Sequence, residues 1–536
     1  MLDPSTPPRL PVRIRAVGRR LRRYLARRVG VDTRSLAAFR VLLGLLVIAD
    51  LLLRSRNFRL YYTDDGVVSQ SLAERGTAEH AVSVYYHVGE PEFIAGLMVA
   101  QAVFALALVI GYRTRAATVI SFLFVVSLDH HNPYVLSYAD TLFRLLFFWA
   151  MFLPLGERWS VDALHAGGSR RQVVASIATA LAMMQMVFMY LLNGVHKATS
   201  PMWRSGDAAP LVFGIDEMTF LIGDIVRTVP TLVSYGGLLW FYMLLGSLLL
   251  VVLRGRSRTA MVALFVCGHA SFALTVRIGA FAYVAIAGLT LFLQPSFWRD
   301  AGRVARRFGI DPASIEARAR TSVGVPLAAT LPAFRVVPPR LDRLTRAVSV
   351  LGIGLVVGAL ALVVALALFN AGVVAGDTYD QNEMNAVVEA DPVGEHVYLV
   401  AESLGIRQPN WSVFAPHPRT TDRYYVFGAR TTDGDQLDVY NDRAFTWDRP
   451  GSQLQKQHDT YRMRFFMNSV RRGSGGGDLT ASYGEHICRT YAEEHDIELS
   501  HISMFEVTER ITFETIDDPA ERETDRNHFY RHRCTP

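Results

Sequence analysis

The chain has 536 residues, 51% of them hydrophobic and only 19% charged, with a formal net charge of +6. Mean hydropathy is positive. A soluble protein of this length carries more charge and has no use for repeated apolar runs of about 20 residues, so the composition describes an integral membrane protein.

In chain order, residues 1–34 form an arginine-rich arm without the shape of a signal peptide. It is expected on the cytoplasmic side, against anionic headgroups. A membrane span follows it at once, which argues against nucleic acid as its partner. Apolar runs follow at 35–54, 93–112, 116–130, 138–155, 173–193, 229–253, 259–276, 278–294 and 346–370. Read as spans, they give an all-α membrane core of about nine transmembrane helices: a core at 35–298, a basic cytoplasmic segment at 299–345, and a final helix at 346–370. Arginine placement orients it. The links GYRTR, GERWSVDALHAGGSRRQ, RGRSR and the segment from Arg299 to Arg346 are all basic, whereas 55–92 and 194–228 mix acid and base. The N-terminus is then inside a cell membrane and the C-terminus outside.

From 377 to 536 the chain turns polar and reads as a smaller extracytoplasmic α+β domain. RYYVFGART and QLDVYN alternate like strands about a turn at Asp433-Gly434, SYGEHICRTYAEE is helix-like, and SHISMFEVTERITFETI is another strand candidate. GSGGGD reads as a flexible connection. Of the three cysteines, Cys267 falls in a span. Cys488 and Cys534 fall in this domain, and both a disulfide and two free thiols fit the sequence. No metal-ligand spacing, phosphate-binding glycine loop or nucleophile elbow is present, and no metal is expected.

Ionisable groups within spans are costly, by about 2.5–3.5 kcal/mol on insertion scales, so each needs a partner or a use. NGVHKATSPMW places His196 and Lys197 at the end of the fifth run. A buried lysine can hold a neutral amine and accept a proton, whereas an interfacial lysine merely snorkels. Trp203 reads as an aromatic-belt residue. His130, His131 and Asn132 form a polar tip between two runs, either a site or a solvated turn. Asp140 and Arg144, four apart on a helix, are expected to pair. His269 on an apolar helix reads by default as a packing histidine, and Arg277 as a turn anchor. All the candidate site residues fall toward the outer face.

Several strings are similar to one family. DTRSLAAFRVLLG, RNFRLYYTDDG, ERWSVDAL, NGVHK with Trp203, and HASFALTVRIGAFAYVAIAGLTLFLQPSFW together cover about residues 32–298. On these motifs the chain resembles the horizontally transferred transmembrane domain (HTTM) family, the membrane core shared with vitamin K-dependent gamma-glutamyl carboxylase. WSVFAP at Trp411–Pro416 looks like the opening of that family's C-terminal β-rich region. The resemblance implies that Lys197 matches a lysine that deprotonates a reduced quinone of vitamin K or menaquinol type, and that His269 matches a functional histidine. His196 stands where the carboxylase has another lysine, and His131 lies near, but not in register with, a further family histidine.

Two functions compete. One is a quinol-dependent, carboxylase-like enzyme with Lys197 and His269 catalytic, and with His196, His131, Asn132 and Arg277 holding the cofactor. Its substrate is a peptide or small acid on the outer face. The other is a non-catalytic membrane protein that binds or matures a secreted peptide or protein through its C-terminal domain. Transport ranks below both, because matched halves with broken helices are not seen.

Overall fold

The computed structural model describes residue 20 and residues 23–87, 89–167, 171–333 and 392–534. The expected final span at 346–370 lies outside the described residues.

A helix stands on each of the first eight apolar runs. Helix α1, Thr33–Arg54, continues through a short turn so that one apolar element reaches Tyr62. Asp32 caps it by accepting the Arg34 N–H. Helix α2, Pro91–Ile110, carries proline in its first turn and stops at Gly111, whose φ of 70° suits glycine. Helix α3 is Thr114–His131 and α4 is Tyr138–Ala150. Helix α5 is Ile177–Ala198, and α6, Pro230–Leu245, extends to Val252. Helix α7 is Gly255–Thr275. Helix α8, Phe281–Leu289, runs on to Phe292, where the chain turns by 106° into α9, Pro295–Arg307.

Among the described residues, five elements are long and apolar enough to cross a bilayer: Thr33–Tyr62, Pro91–Ile110, Ile177–Ala198, Pro230–Val252 and Gly255–Thr275. The bent pair α8–α9 makes six if it is one span. The nine expected spans are therefore not reached: the ninth lies outside the described residues, α4 is short, and α3 ends in polar residues. Helix α4 has 13 residues, about 20 Å at 1.5 Å per residue. Helix α3 ends in Asp129, His130 and His131, all buried. Most residues of both helices are buried against their neighbours, so their apolar character serves a protein core. Helix α4 packs on α3, α5 and α8, while α1 packs on α2 and α8, and α5 on α6.

The α5–α6 crossing depends on Gly194. A Cβ there would lie 2.9 Å from the Leu245 backbone N and 3.0 Å from Leu244 Cβ. Only glycine permits that approach, which fixes α5 just before Lys197.

The C-terminal region opens with a helix at Pro392–Ser403 and continues into an antiparallel five-stranded sheet. Its strands are β1 (Thr421–Thr431), β2 (Gln436–Asp438), β3 (Arg443–Ala444), β4 (Leu499–Arg510) and β5 (Thr524–Arg533). They lie in the order β3-β2-β1-β4-β5. Helices α10 (Tyr461–Arg471) and α11 (Asp478–His495) join the same core, linked through the glycine cluster. Cys488 on α11 and Cys534 beyond β5 form a disulfide, while Cys267 is free.

A buried charge network ties this domain to the helices. Arg462 of α10 meets Asp50 of α1 at 2.6 Å and Asp140 of α4 at 2.8 Å. Arg54 binds Asp50 and Asp129, and Arg144 binds Asp129 at 2.7 Å. The expected Asp140–Arg144 pair therefore does not form. Each residue turns to a partner from another helix, and three acids balance three arginines.

Candidate functional site

Tyr190, Asn193 and Lys197 recur at i, i+3 and i+7 on one face of α5, which points inward. Lys197 is only 2% exposed. Its Nζ donates to the Val413 carbonyl at 2.6 Å and lies 3.4 Å from that of Phe414. It also sits 3.8 Å from the centroid of the Trp203 ring. No charged neighbour accompanies it among the described residues. Such a ring face contributes about 2 kcal/mol to a desolvated ammonium, whereas removing that ion from water costs several. The amine is therefore held by carbonyls and a ring, without a counter-charge.

The acceptors come from the loop WSVFAP. Asn193 Nδ2 donates to the carbonyls of Trp411 and Val413 at 2.7 and 3.1 Å, and Trp203 Nε1 to that of Phe414 at 2.8 Å. Trp411 and Phe414 both adopt positive φ, 52° and 53°. Non-glycine residues enter that region at a cost that surrounding contacts must offset.

His269 of α7 is buried. Its Nε2 and the Tyr190 hydroxyl are 2.8 Å apart, while Nδ1 has no hydrogen-bond partner. Trp240 meets the imidazole edge-on at 5.2 Å. Lys197 and His269 line one cavity of about 860 Å³, together with Tyr190, Asn193, Trp203 and Trp240. The C-terminal region supplies the far wall through Trp411–Ala415, His417, Arg419, Tyr461, Arg464 and Phe465. At that end Arg419 and Arg464 both bind Glu217, Arg464 at 2.7 Å. Burial would push the Glu217 carboxyl up, but Arg419, Arg464 and Arg423 overcome it and hold the group well below its usual range. Burial pushes the Tyr461 phenol up to about 12, so that wall stays protonated at neutral pH. The cavity is thus apolar and aromatic at its helical end and positively charged at the other.

The four residues expected to hold a cofactor do not line this cavity. His196 is half-buried on an adjoining face of α5, its Nε2 without a partner. His131 Nε2 binds the Tyr62 carbonyl at 3.0 Å, and Asn132 Nδ2 donates to that of Tyr61 at 3.0 Å. Both fasten the end of the first element from a buried position, so the polar tip is neither solvated nor part of the site. Arg277 turns away from the cavity and donates to the carbonyls of Gln455 and His458, although its neighbours Val276 and Ile278 line it. In return, sequence reasoning missed Tyr190, Trp240, Arg419 and Arg464, and it noted WSVFAP only as the opening of the C-terminal region, not as part of the site. It also took Trp203, which lies under the amine, for a belt residue. The spacing of Tyr190, Asn193 and Lys197 was the available signal. Nothing local marks Arg419 or Arg464, because their approach depends on how the C-terminal region docks.

A bundle of apolar helices capped at one end by an α+β region, with an amine and an imidazole lining the cavity between them, defines a membrane protein with a site among its helices. The chain belongs to the HTTM family. The HTTM domain matches residues 29–298, which hold α1 to α8 and therefore Lys197 and His269. No curated protein and no solved structure matches significantly.

Proposed function

We propose that this HTTM-family membrane protein is a quinol-dependent, carboxylase-like enzyme in which Lys197 is the base. The observation that carries the reading is the sharing of one largely apolar cavity by the buried Lys197 and His269. The lining fits a reduced quinone. It is mostly apolar and aromatic, large enough for a fused ring with part of a tail, and it contains an imidazole nitrogen, His269 Nδ1, with no partner in the protein. A quinol bound there supplies a weakly acidic hydroxyl and reducing equivalents.

The chain's own groups would divide the work. Two carbonyls take up N–H bonds of Lys197, so a neutral amine keeps its lone pair free to accept a proton at Nζ. Tyr190 orients the His269 ring, leaving Nδ1 for a ring oxygen. Arg419 and Arg464 would receive the carboxylate of a peptide or small acidic substrate, their one shared acid leaving positive charge to spare. The C-terminal region lies extracytoplasmically in this reading, consistent with the arginine-rich links and the Cys488–Cys534 disulfide.

The binding-platform alternative is less favoured, because WSVFAP and α10 form walls of the cavity instead of a separate module. The test is lipid extraction of the full-length protein purified in mild detergent, read by mass spectrometry. A near-stoichiometric quinone supports the proposal. Protein purified from quinone-replete membranes without any quinone, even after incubation with menaquinol, overturns it.

A further inference from the structure

Helix α9 and the chain after it are unlike the rest of the bundle. No residue of α9, of the helix Pro312–Ala319 or of the turns up to Thr330 is buried. Large apolar side chains nevertheless stand out there: Phe308 is 78% exposed and Val304 53%, and Ile310 and Ile315 are exposed too.

The exposure has a pattern. Phe297, Ala301, Val304 and Phe308 are spaced i, i+4, i+7 and i+11, which makes one apolar stripe. Arg299, Arg303 and Arg306 fall on the opposite face and Arg307 on its flank. Arg303 and Arg256 share Asp300, which leaves Arg299, Arg306 and Arg307 without an acidic partner among the described residues. The helix leaves α8 at 106°, so it runs across the axis of α8, not along it.

Its place against the bundle is fixed as well. Trp298 Nε1 donates to Ser35 Oγ at 2.9 Å at the start of α1. Beyond α9, Arg158 binds Glu316 at 3.0 Å, and His165 lies 2.8 Å from the Ala328 carbonyl. The same end of the bundle therefore gathers three of the basic links, at 111–115, 156–172 and 254–258.

We infer that α9 is an interfacial helix that binds anionic phospholipid on the basic face of the membrane. Its Phe297–Phe308 stripe sinks among the acyl chains, and Arg299, Arg306 and Arg307 hold headgroup phosphates. A transverse helix at a span's end, apolar on one side and cationic on the other, matches the headgroup layer in geometry and in charge. This reading does not depend on the function proposed for the cavity, which opens among other helices.

The test uses the full-length protein in two measurements. In the first, Phe308→Cys in a Cys267→Ala background carries a fluorophore, and the protein is placed in nanodiscs of phosphatidylcholine with phosphatidylglycerol. Quenching by a nitroxide on the lipid acyl chain, with none by aqueous iodide, is expected. In the second, native mass spectrometry counts phosphatidylglycerol and phosphatidylcholine retained after delipidation. Wild type should prefer the anionic lipid, and the triple variant Arg299→Gln, Arg306→Gln, Arg307→Gln should lose that preference by about tenfold or more. A label quenched by iodide, a label shielded from both quenchers because another part of the chain covers it, or a triple variant with an unchanged preference would each overturn the inference.

Discussion

Arg462 shows how much rests on single residues in this molecule. It reaches from α10 to two carboxylates of the helical bundle, Asp50 and Asp140, and balances a network that is otherwise one charge too negative. Arg462→Gln would leave those acids buried beside Arg54 alone. Breaking a buried pair from one side costs about 3–5 kcal/mol. We expect a thermal unfolding midpoint markedly below wild type in detergent, and an unchanged midpoint would contradict the pairing. The sequence did not disclose this partner. Asp140 and Arg144 have the spacing of a helix pair, but tertiary partners outcompeted the local one: Asp129 took Arg144, and Arg462 took Asp140. Lys197 was legible because lysine is costly in an apolar run, whatever surrounds it. Its acceptors, more than 200 positions away, were not.

At the scale of elements, the site depends on how closely α5 and α6 approach. Gly194→Val would drive a branched side chain into the Leu244–Leu245 backbone, at a cost of about 1–3 kcal/mol for overpacking. The helices would separate one turn before Lys197. The expected outcome is a stable, membrane-inserted protein whose quinone retention falls sharply, and full retention would show that the crossing does not shape the cavity. Apolar runs located every helix from α1 to α8, since periodic hydrophobicity is hard to miss. They did not separate helices that face lipid from helices that face protein, which is why α3 and α4 read as full spans. Strand β5, TDRNHFYRHR, escaped notice for the opposite reason: it is a charged, exposed edge strand whose alternation carries almost no apolar signal.

Across the whole molecule, pH should act through the buried groups that join the C-terminal region to the bundle. His458 is buried beside Tyr440, and its imidazole is lowered from 6.5 to about 4, by burial first and then by Arg464, Arg277 and Arg423 against the opposing pull of Glu217. The unfolded chain binds that proton at higher pH than the folded one. Its stabilisation is therefore complete above pH 6.5 and is lost as pH falls toward 4. Asp422, raised to about 6, and Glu509, raised to about 7, both by burial first and then with contributions from neighbouring acids, act in reverse: their stabilisation fades as pH rises through those values. The difference between wild type and His458→Gln isolates the histidine. That difference should shift against wild type by about 1.5 kcal/mol between pH 6.5 and pH 5, measured by thermal unfolding, and a pH-independent difference would show that the imidazole is not held neutral.

The same docking that buries His458 supplies the cavity wall over Lys197, so the proposed chemistry needs the assembled chain. The most direct test is quinol-dependent turnover of acidic peptide by wild type and Lys197→Ala in liposomes, at matched levels of folded protein. The variant is expected to keep bound quinone and lose the reaction by about 10²-fold or more, as removal of a general base requires. A variant that keeps its quinone and turns over at the wild-type rate would contradict that role.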